Sequence, residues 1–407
     1  MIEGENMRVG MFTDSYFPQI SGVSTSIKVL KDELEAQGHD VIIFTTTDPN
    51  APDSEDGIVR LKSIPFFSFK DRRIAIKGFS KALKEAKKQR IDIVHTHTEF
   101  SLGLTGKFVA YMLKIPTIHT YHTMYEKYLH YIANGKIIKV RDVKMVSRAF
   151  CNRTKGVIVP SQLMKDTLRS YHVSKEIRVI PTGVTQAEKN PSIKKELRQK
   201  LSLNEEDIVL LSLSRLAFEK DLDKMIIAFP SILERQSNAK LVFVGDGPAR
   251  QSLEELVAEK GLEEVVIFVG EVNNESVYEY YQMADVYVSA SASETQGLTY
   301  LESIMNDCPV VAKENDYLKG IIKNPMLGLL YKDDHELAAA VSHVIEQKQA
   351  EINQEWVDQR QELIKELSSE TFGKKVISYY KHVIENYYFE TEDEPMSLLK
   401  YYSRLKS

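Results

Sequence analysis

Ser293-Glu294-Thr295-Gln296-Gly297-Leu298-Thr299-Tyr300-Leu301-Glu302 places two carboxylates eight positions apart across a glycine. Ahead of it, Ala284-Asp285-Val286-Tyr287-Val288-Ser289-Ala290 alternates apolar residues as a buried strand does. Behind it, Leu298 to Met305 carries helical spacing that stops before Asp307 and Pro309. The stretch is expected to be a strand end turning into a helix, with Glu294 in the loop and Glu302 about two turns into the helix. The amides of Gln296, Gly297, Leu298 and Thr299 then form the helix N-terminus, where unpaired N–H groups and the helix dipole attract an anion. Two carboxylates flanking a phosphate cradle suit a sugar nucleotide, one acid for the sugar hydroxyls and the other for the ribose. A plain alternative is a helix with acids near its start and on its exposed face, since acids favour helix starts anyway.

Outward from this motif, 407 residues are too many for one ordinary core and fit two domains of roughly 180 residues each. With 43% apolar and 27% charged residues the chain reads as globular. No run approaches the ~18 apolar residues of a membrane span. The start, Met1-Ile2-Glu3-Gly4-Glu5-Asn6, is too acidic for a secretory signal, so a cytoplasmic protein is expected. Cys151 and Cys308 are too few for a disulfide framework and lie beside apolar residues, as buried thiols do. The net charge of −5 conceals an asymmetry: residues 1–186 hold 28 Lys+Arg against 19 Asp+Glu, net +9, leaving 25 against 39, net −14, for the rest. A basic front half suggests an anionic surface, with nucleic acid and membrane both eligible.

Met7 to Asp14 reads as a short strand, followed by Ser21-Gly22-Val23-Ser24 and an amphipathic helix to Leu34. This is the strand, loop and helix of a Rossmann-like unit, with Gly22 where a phosphate can approach the backbone. Ile91 to His97 and Ile115 to Thr123 read as parallel strands ending in histidines: His95, His97, His119 and His122. Open α/β sheets bind ligands at that edge. Nothing supplies the thiolates or carboxylates that would complete a zinc set, so no metal is expected. His95 and His119 are taken as structural.

Ile64 to Lys77 mixes Phe66, Phe67 and Phe69 with Arg72 and Arg73, either a membrane-interface segment or a connecting loop whose rings fill the core. Met124 to Arg148 interleaves tyrosines and aliphatics with Lys127, Lys136, Lys139, Arg141 and Lys144, the composition of a basic amphipathic helix on anionic lipid or of an ordinary solvated face. A polar run from Thr185 to Lys200 marks the domain boundary, giving domains 1–186 and 187–375. Past the next buried strand, Arg215 and Lys220 stand five apart, spaced to clamp a diphosphate. Asp221-Leu222-Asp223 reads as helix capping. Gly245 and Gly270 end further strands in turns.

These motifs together resemble glycosyltransferase family 4, retaining enzymes of the GT-B fold, over residues 7 to roughly 390. The resemblance rests on the two-acid motif, the Arg215–Lys220 pair and the histidine strand end. It implies an α/β GT-B protein, two Rossmann-like domains with a cleft between them and C-terminal helices, about 376–407, returning to the first domain. It assigns Glu294 to the donor sugar, Glu302 to the ribose, Arg215 and Lys220 to the diphosphate, His122 to the reacting carbon, and Gly270 and Val272 to the uracil base. Ser21-Gly22-Val23 stands where the family has Gly-Gly-Val. Gln296 replaces a usual aromatic, as in the subgroup acting on diacylglycerol. The implied activity is transfer of glucose from UDP-glucose to the 3-hydroxyl of 1,2-diacylglycerol, with no cofactor or metal, no nucleic acid, and an anionic inner membrane surface as partner. Galactose transfer, addition of a second sugar, and a non-catalytic lipid- or nucleic-acid-binding protein are the alternatives.

Overall fold

The computed structural model describes residues 6–52, 54–66, 69–126, 139–273, 276–292, 294, 296–348 and 353–391. Phe67, Lys127 and Lys136 lie outside the described residues, as does the tail beyond 391. The chain divides into two compact units, Met1–Gly183 with Ser369–Ser407, and Val184–Ser368. The boundary expected after Gln186 thus falls inside the second unit, and the chain re-enters the first at Ser369.

The first unit runs β1 (Arg8–Phe12), α1 (Gly22–Ala36), β2 (Asp40–Thr46), β3 (Ile58–Leu61), β4 (Ser63–Phe66), β5 (Phe69–Ala75), α2 (Phe79–Lys88), β6 (Ile93–Thr96), α3 (Ser101–Leu113), β7 (Thr117–Thr120), α4 (Val140–Cys151), β8 (Gly156–Val159), α5 (Gln162–Ser170) and β9 (Ile177–Val179). Seven strands pair in parallel in the order β3-β2-β1-β6-β7-β8-β9. Their residues are buried almost without alternation because helices cover both faces of a parallel sheet. Strand order reverses between β1 and β6, and a ligand crevice opens beside the strand ends at such a point.

Two expectations change here. Most of the described part of residues 64–77 is strand, not loop: β4 and β5 pair antiparallel, and Arg73 ties them together by donating from Nε to Ser63 Oγ at 3.0 Å and from Nη2 to Ser63 O at 3.1 Å. The basic helix begins at Val140, with Asp142 accepting from the Lys139 amide at its start. Lys139, Arg141 and Lys144 are exposed on it.

The second unit holds α6 (Pro191–Lys200), β10 (Ile208–Leu213), α7 (Leu222–Leu233), β11 (Ala239–Val244), α8 (Arg250–Lys260), β12 (Val266–Gly270), α9 (Val277–Met283), β13 (Val286–Ser289), α10 (Leu298–Met305), β14 (Val310–Lys313), α11 (Asp316–Ile321), β15 (Gly328–Tyr331), α12 (Leu337–Lys348) and α13 (Gln354–Glu366). Its parallel sheet is ordered β12-β11-β10-β13-β14-β15, with the reversal between β10 and β13. The polar run at the boundary is largely α6, capped by Asn190 with proline in its first turn. It belongs to the second unit, where Arg198 is buried against Asp285 at 2.9 Å.

Finally α14 (Ser369–Thr391) closes the first unit. Val376, Tyr379, Tyr380 and Val383 join the core formed by β1 and α1. Tyr379 approaches β8 so closely that a Cβ on Gly156 would meet its hydroxyl at 2.1 Å, which explains the bare glycine there. Among the described residues no helix is long and apolar enough to cross a membrane.

Candidate active site

In the second unit the motif residues gather where strand order reverses. β13 ends at Ser289 and α10 begins at Leu298, with Gly297 as its N-cap in the left-handed region at φ 67°. A Cβ at Gly297 would meet the Tyr300 ring at 2.4 Å, so glycine is required twice over, by backbone and by space. Glu294 lies in the connecting loop, and Glu302 lies in the second turn of α10. The Tyr281 hydroxyl donates to Glu302 Oε2 at 2.9 Å, and burial raises the Glu302 carboxyl above the usual carboxylate range. Gln296 is buried, 5% exposed.

The adjoining strand, β10, leads to Arg215 and a 3-10 turn at Phe218–Lys220. Lys220 Nζ donates to Glu294 Oε1 in an ion pair whose side chains are only 19% and 20% exposed. Two residues 74 positions apart, read from the sequence as separate ligand groups, are therefore partners. Asp221 occupies the N-cap of α7, but its carboxylate pairs with Lys224 at 3.3 Å instead of capping the amides; Asp223 lies in the first turn. On the next strands, Gly245 and Gly270 take positive φ, 126° and 88°, and Gly245 N donates to Gly270 O at 2.8 Å. Val272 follows β12 and packs against the apolar core.

In the first unit, Gly22 opens α1 beyond the β1 end, behind a reciprocal cap between Ser21 and Ser24. A Cβ there would meet nothing within 4 Å, so the helix N-terminus is approachable. The four histidines separate into two kinds. His95 is fully buried with Nδ1 on Tyr380 Oη at 2.7 Å and Nε2 on Thr120 Oγ1 at 2.6 Å. His119 is fully buried between Thr96 and Glu99. Both are satisfied structural residues, as expected.

His97 and His122 differ. His97 Nδ1 lies 3.0 Å from His122 Nε2 with the rings stacked, and His97 Nε2 is buried without a hydrogen-bond partner among the described residues. His122 Nδ1 has no hydrogen-bond partner among the described residues. Burial, with a smaller contribution from His119, pushes His122 down to about 3, and burial holds His97 well below the ordinary imidazole value. Both rings are thus neutral, and one proton serves their shared contact. Asp14, at the β1 end, caps α3 from outside: it accepts from Thr98 Oγ1 at 2.6 Å and from the Leu102 amide at 3.1 Å, with its carboxyl raised by burial. The sequence reading missed His97 as the partner of His122, and Tyr281 and Asp14. The His-x-His spacing at the β6 end was the available signal for the first, whereas the other two make contacts from distant elements.

Residues 20–188 match the sequence model of Glycosyltransferase Family 4, and residues 193–365 that of Glycosyl transferases group 1. The alpha-monoglucosyldiacylglycerol synthase of Streptococcus pneumoniae is 47% identical over 95% of this chain and 88% of that protein. The chain belongs to glycosyltransferase family 4. A second relative, the alpha-monoglucosyldiacylglycerol synthase of Acholeplasma laidlawii, is 30% identical over 83% of this chain and 88% of its own length. Anabaena Alr3699/HepE, solved in complex with UDP, superposes with a TM-score of 0.72 at 16% identity, over 92% of this chain and all of that one (100%). That likeness is one of fold, and it identifies the two Rossmann-like units as GT-B. As a family 4 glycosyltransferase the protein is a hexosyltransferase.

Proposed function

We propose that this enzyme transfers glucose from UDP-glucose to the 3-hydroxyl of 1,2-diacylglycerol, forming monoglucosyldiacylglycerol with retention at the anomeric carbon. The reading of the acceptor is supported by the two relatives named for monoglucosyldiacylglycerol synthesis, which match most of the chain. The reading of the chemistry is carried by the Lys220–Glu294 pair at the strand-order reversal, beside the N-terminus of α10.

Arg215, Lys220 and the amides of Gly297 and Leu298 neutralise charge as the bond between the anomeric carbon and the diphosphate oxygen breaks and its electrons pass to UDP. Fixed positive charge aimed at a leaving group is the largest single contribution in such reactions. The 3-hydroxyl oxygen of the acceptor bonds to the anomeric carbon from the same face, and its proton goes to the departing phosphate oxygen. Glu294 holds the sugar hydroxyls, Glu302 the ribose, and Gly245, Gly270, Val272 and Gln296 surround the nucleotide; His122 lies against the sugar. No covalent glycosyl-enzyme and no metal is required, because the cations and helix amides balance the diphosphate. The enzyme works peripherally on the inner face of the cell membrane, through the β4–β5 pair carrying Phe66, Phe69 and Arg72 and through Lys139, Arg141 and Lys144, and it needs no nucleic acid.

A donor-by-acceptor assay tests this: UDP-glucose and UDP-galactose, each against diacylglycerol and its monoglucosyl derivative. The expected product is monoglucosyldiacylglycerol from UDP-glucose alone. A product formed only from the already glycosylated lipid, or only from UDP-galactose, refutes the assignment.

A further inference from the structure

The outer side of α3 breaks the rule for a surface helix. Its inner side is buried through Leu102, Val109 and Ala110, yet every exposed residue on it, Leu104, Phe108, Tyr111 and Met112, is apolar or aromatic. Phe100, at the N-cap, extends the row, and Tyr111 is 81% exposed. At 3.6 residues per turn these side chains span an arc of about 120°. A helix normally gives that arc to polar residues, and one that is apolar all round is covered by something.

The row continues on both sides. Phe79, at the start of α2, meets Phe108 edge-on at 6.1 Å and is itself 47% exposed. On the other flank Lys107 lies over the Phe150 ring at 4.1 Å and joins α3 to α4. There Met145 and Val146, 63% and 51% exposed, stand among exposed Arg141, Lys144 and Arg148. The neighbouring acid, Asp142, is engaged at the start of α4. The surface has an apolar middle and a cationic rim.

We infer that α3 is the element that seats this protein on an anionic bilayer, its apolar row lying at the boundary between head groups and acyl chains while the α4 cations meet the head groups. The choice of a bilayer over another partner rests on the lipid-acceptor reading and on charge: a second copy of this face brings cations against cations, whereas anionic head groups complement them. The β4–β5 pair and α4 were visible from composition as interfacial candidates; α3 was not among them.

The test uses the full-length enzyme, whose one tryptophan, Trp356, allows a clean reporter. Tyr111→Trp in a Trp356→Phe background is titrated with vesicles of phosphatidylcholine and phosphatidylglycerol, some with brominated acyl chains. The expected result is a blue shift on vesicle addition and quenching by the brominated chains. Leu104→Asp and Phe108→Asp lower vesicle partition by about tenfold per side chain, with circular dichroism and UDP binding retained. Absence of a vesicle-induced shift overturns the inference, as does a shift that needs no lipid and grows with protein concentration, which assigns the face to self-association. Transfer to short-chain diacylglycerol in detergent separates the two readings. Vesicle insertion without any diacylglycerol transfer refutes the acceptor and leaves the seat standing, whereas transfer without insertion does the reverse.

Discussion

Lys220 meets any incoming diphosphate already paired with Glu294, so the two anions compete for one ammonium. Glu294→Gln removes the competitor's charge while keeping its size. The side chains are about one-fifth exposed, 19% and 20%, which corresponds to an intermediate effective dielectric. At an effective dielectric of ~20 a contact pair attracts by about 4 kcal/mol before desolvation is subtracted. Most of that is offset by the cost of withdrawing both charges from water, and the amide of Gln retains a hydrogen-bonding oxygen. A net gain of about 1.4 kcal/mol remains, equivalent to tenfold tighter binding of UDP. Isothermal calorimetry at low salt is the assay. Glu294→Gln is expected to bind UDP about tenfold more tightly than the parent while losing glucosyl transfer, and Lys220→Ala to bind about tenfold more weakly. The double variant is expected to match Lys220→Ala, because without the ammonium the carboxylate has nothing to withhold. Weaker UDP binding by Glu294→Gln, or two effects that simply add in the double variant, refutes the competition.

Three further outcomes follow from the geometry. His122 has a folded value of about 3, below an unfolded imidazole near 6.5, so the unfolded chain binds more protons between those values and stability falls as pH drops through the window. Its share at pH 5 is about 2 kcal/mol, and urea unfolding at pH 7.5 and pH 5 should show His122→Asn losing less stability than the parent; equal losses refute it. Tyr380→Phe leaves the buried His95 Nδ1 without its 2.7 Å partner and is expected to cost about 1–3 kcal/mol in urea unfolding followed in the first unit. Gly297→Ala forces a side chain into the left-handed region and onto the Tyr300 ring, so UDP affinity should drop at least about tenfold with far-UV circular dichroism unchanged; unaltered affinity would separate the α10 N-terminus from the nucleotide.

Local sequence determined what depends on near neighbours. The period of Val286–Ser289, the glycine at 297 and the bounds of α10 are demands of a few consecutive backbones, and the strand–turn–helix was legible from them. The same holds for Gly245 and Gly270, whose positive φ is a local requirement. Only the tertiary structure decided which side chains meet. Tyr380 reaches His95 across 285 positions, Asp14 caps α3 across 88, and Lys220 finds Glu294 across 74, and no periodicity encodes such distances. The outer face of α3 is the same case in reverse: its apolar composition does not say which of its sides is covered. Exposure is set by what the rest of the fold lays over it, and Leu104, Phe108 and Tyr111 are left exposed.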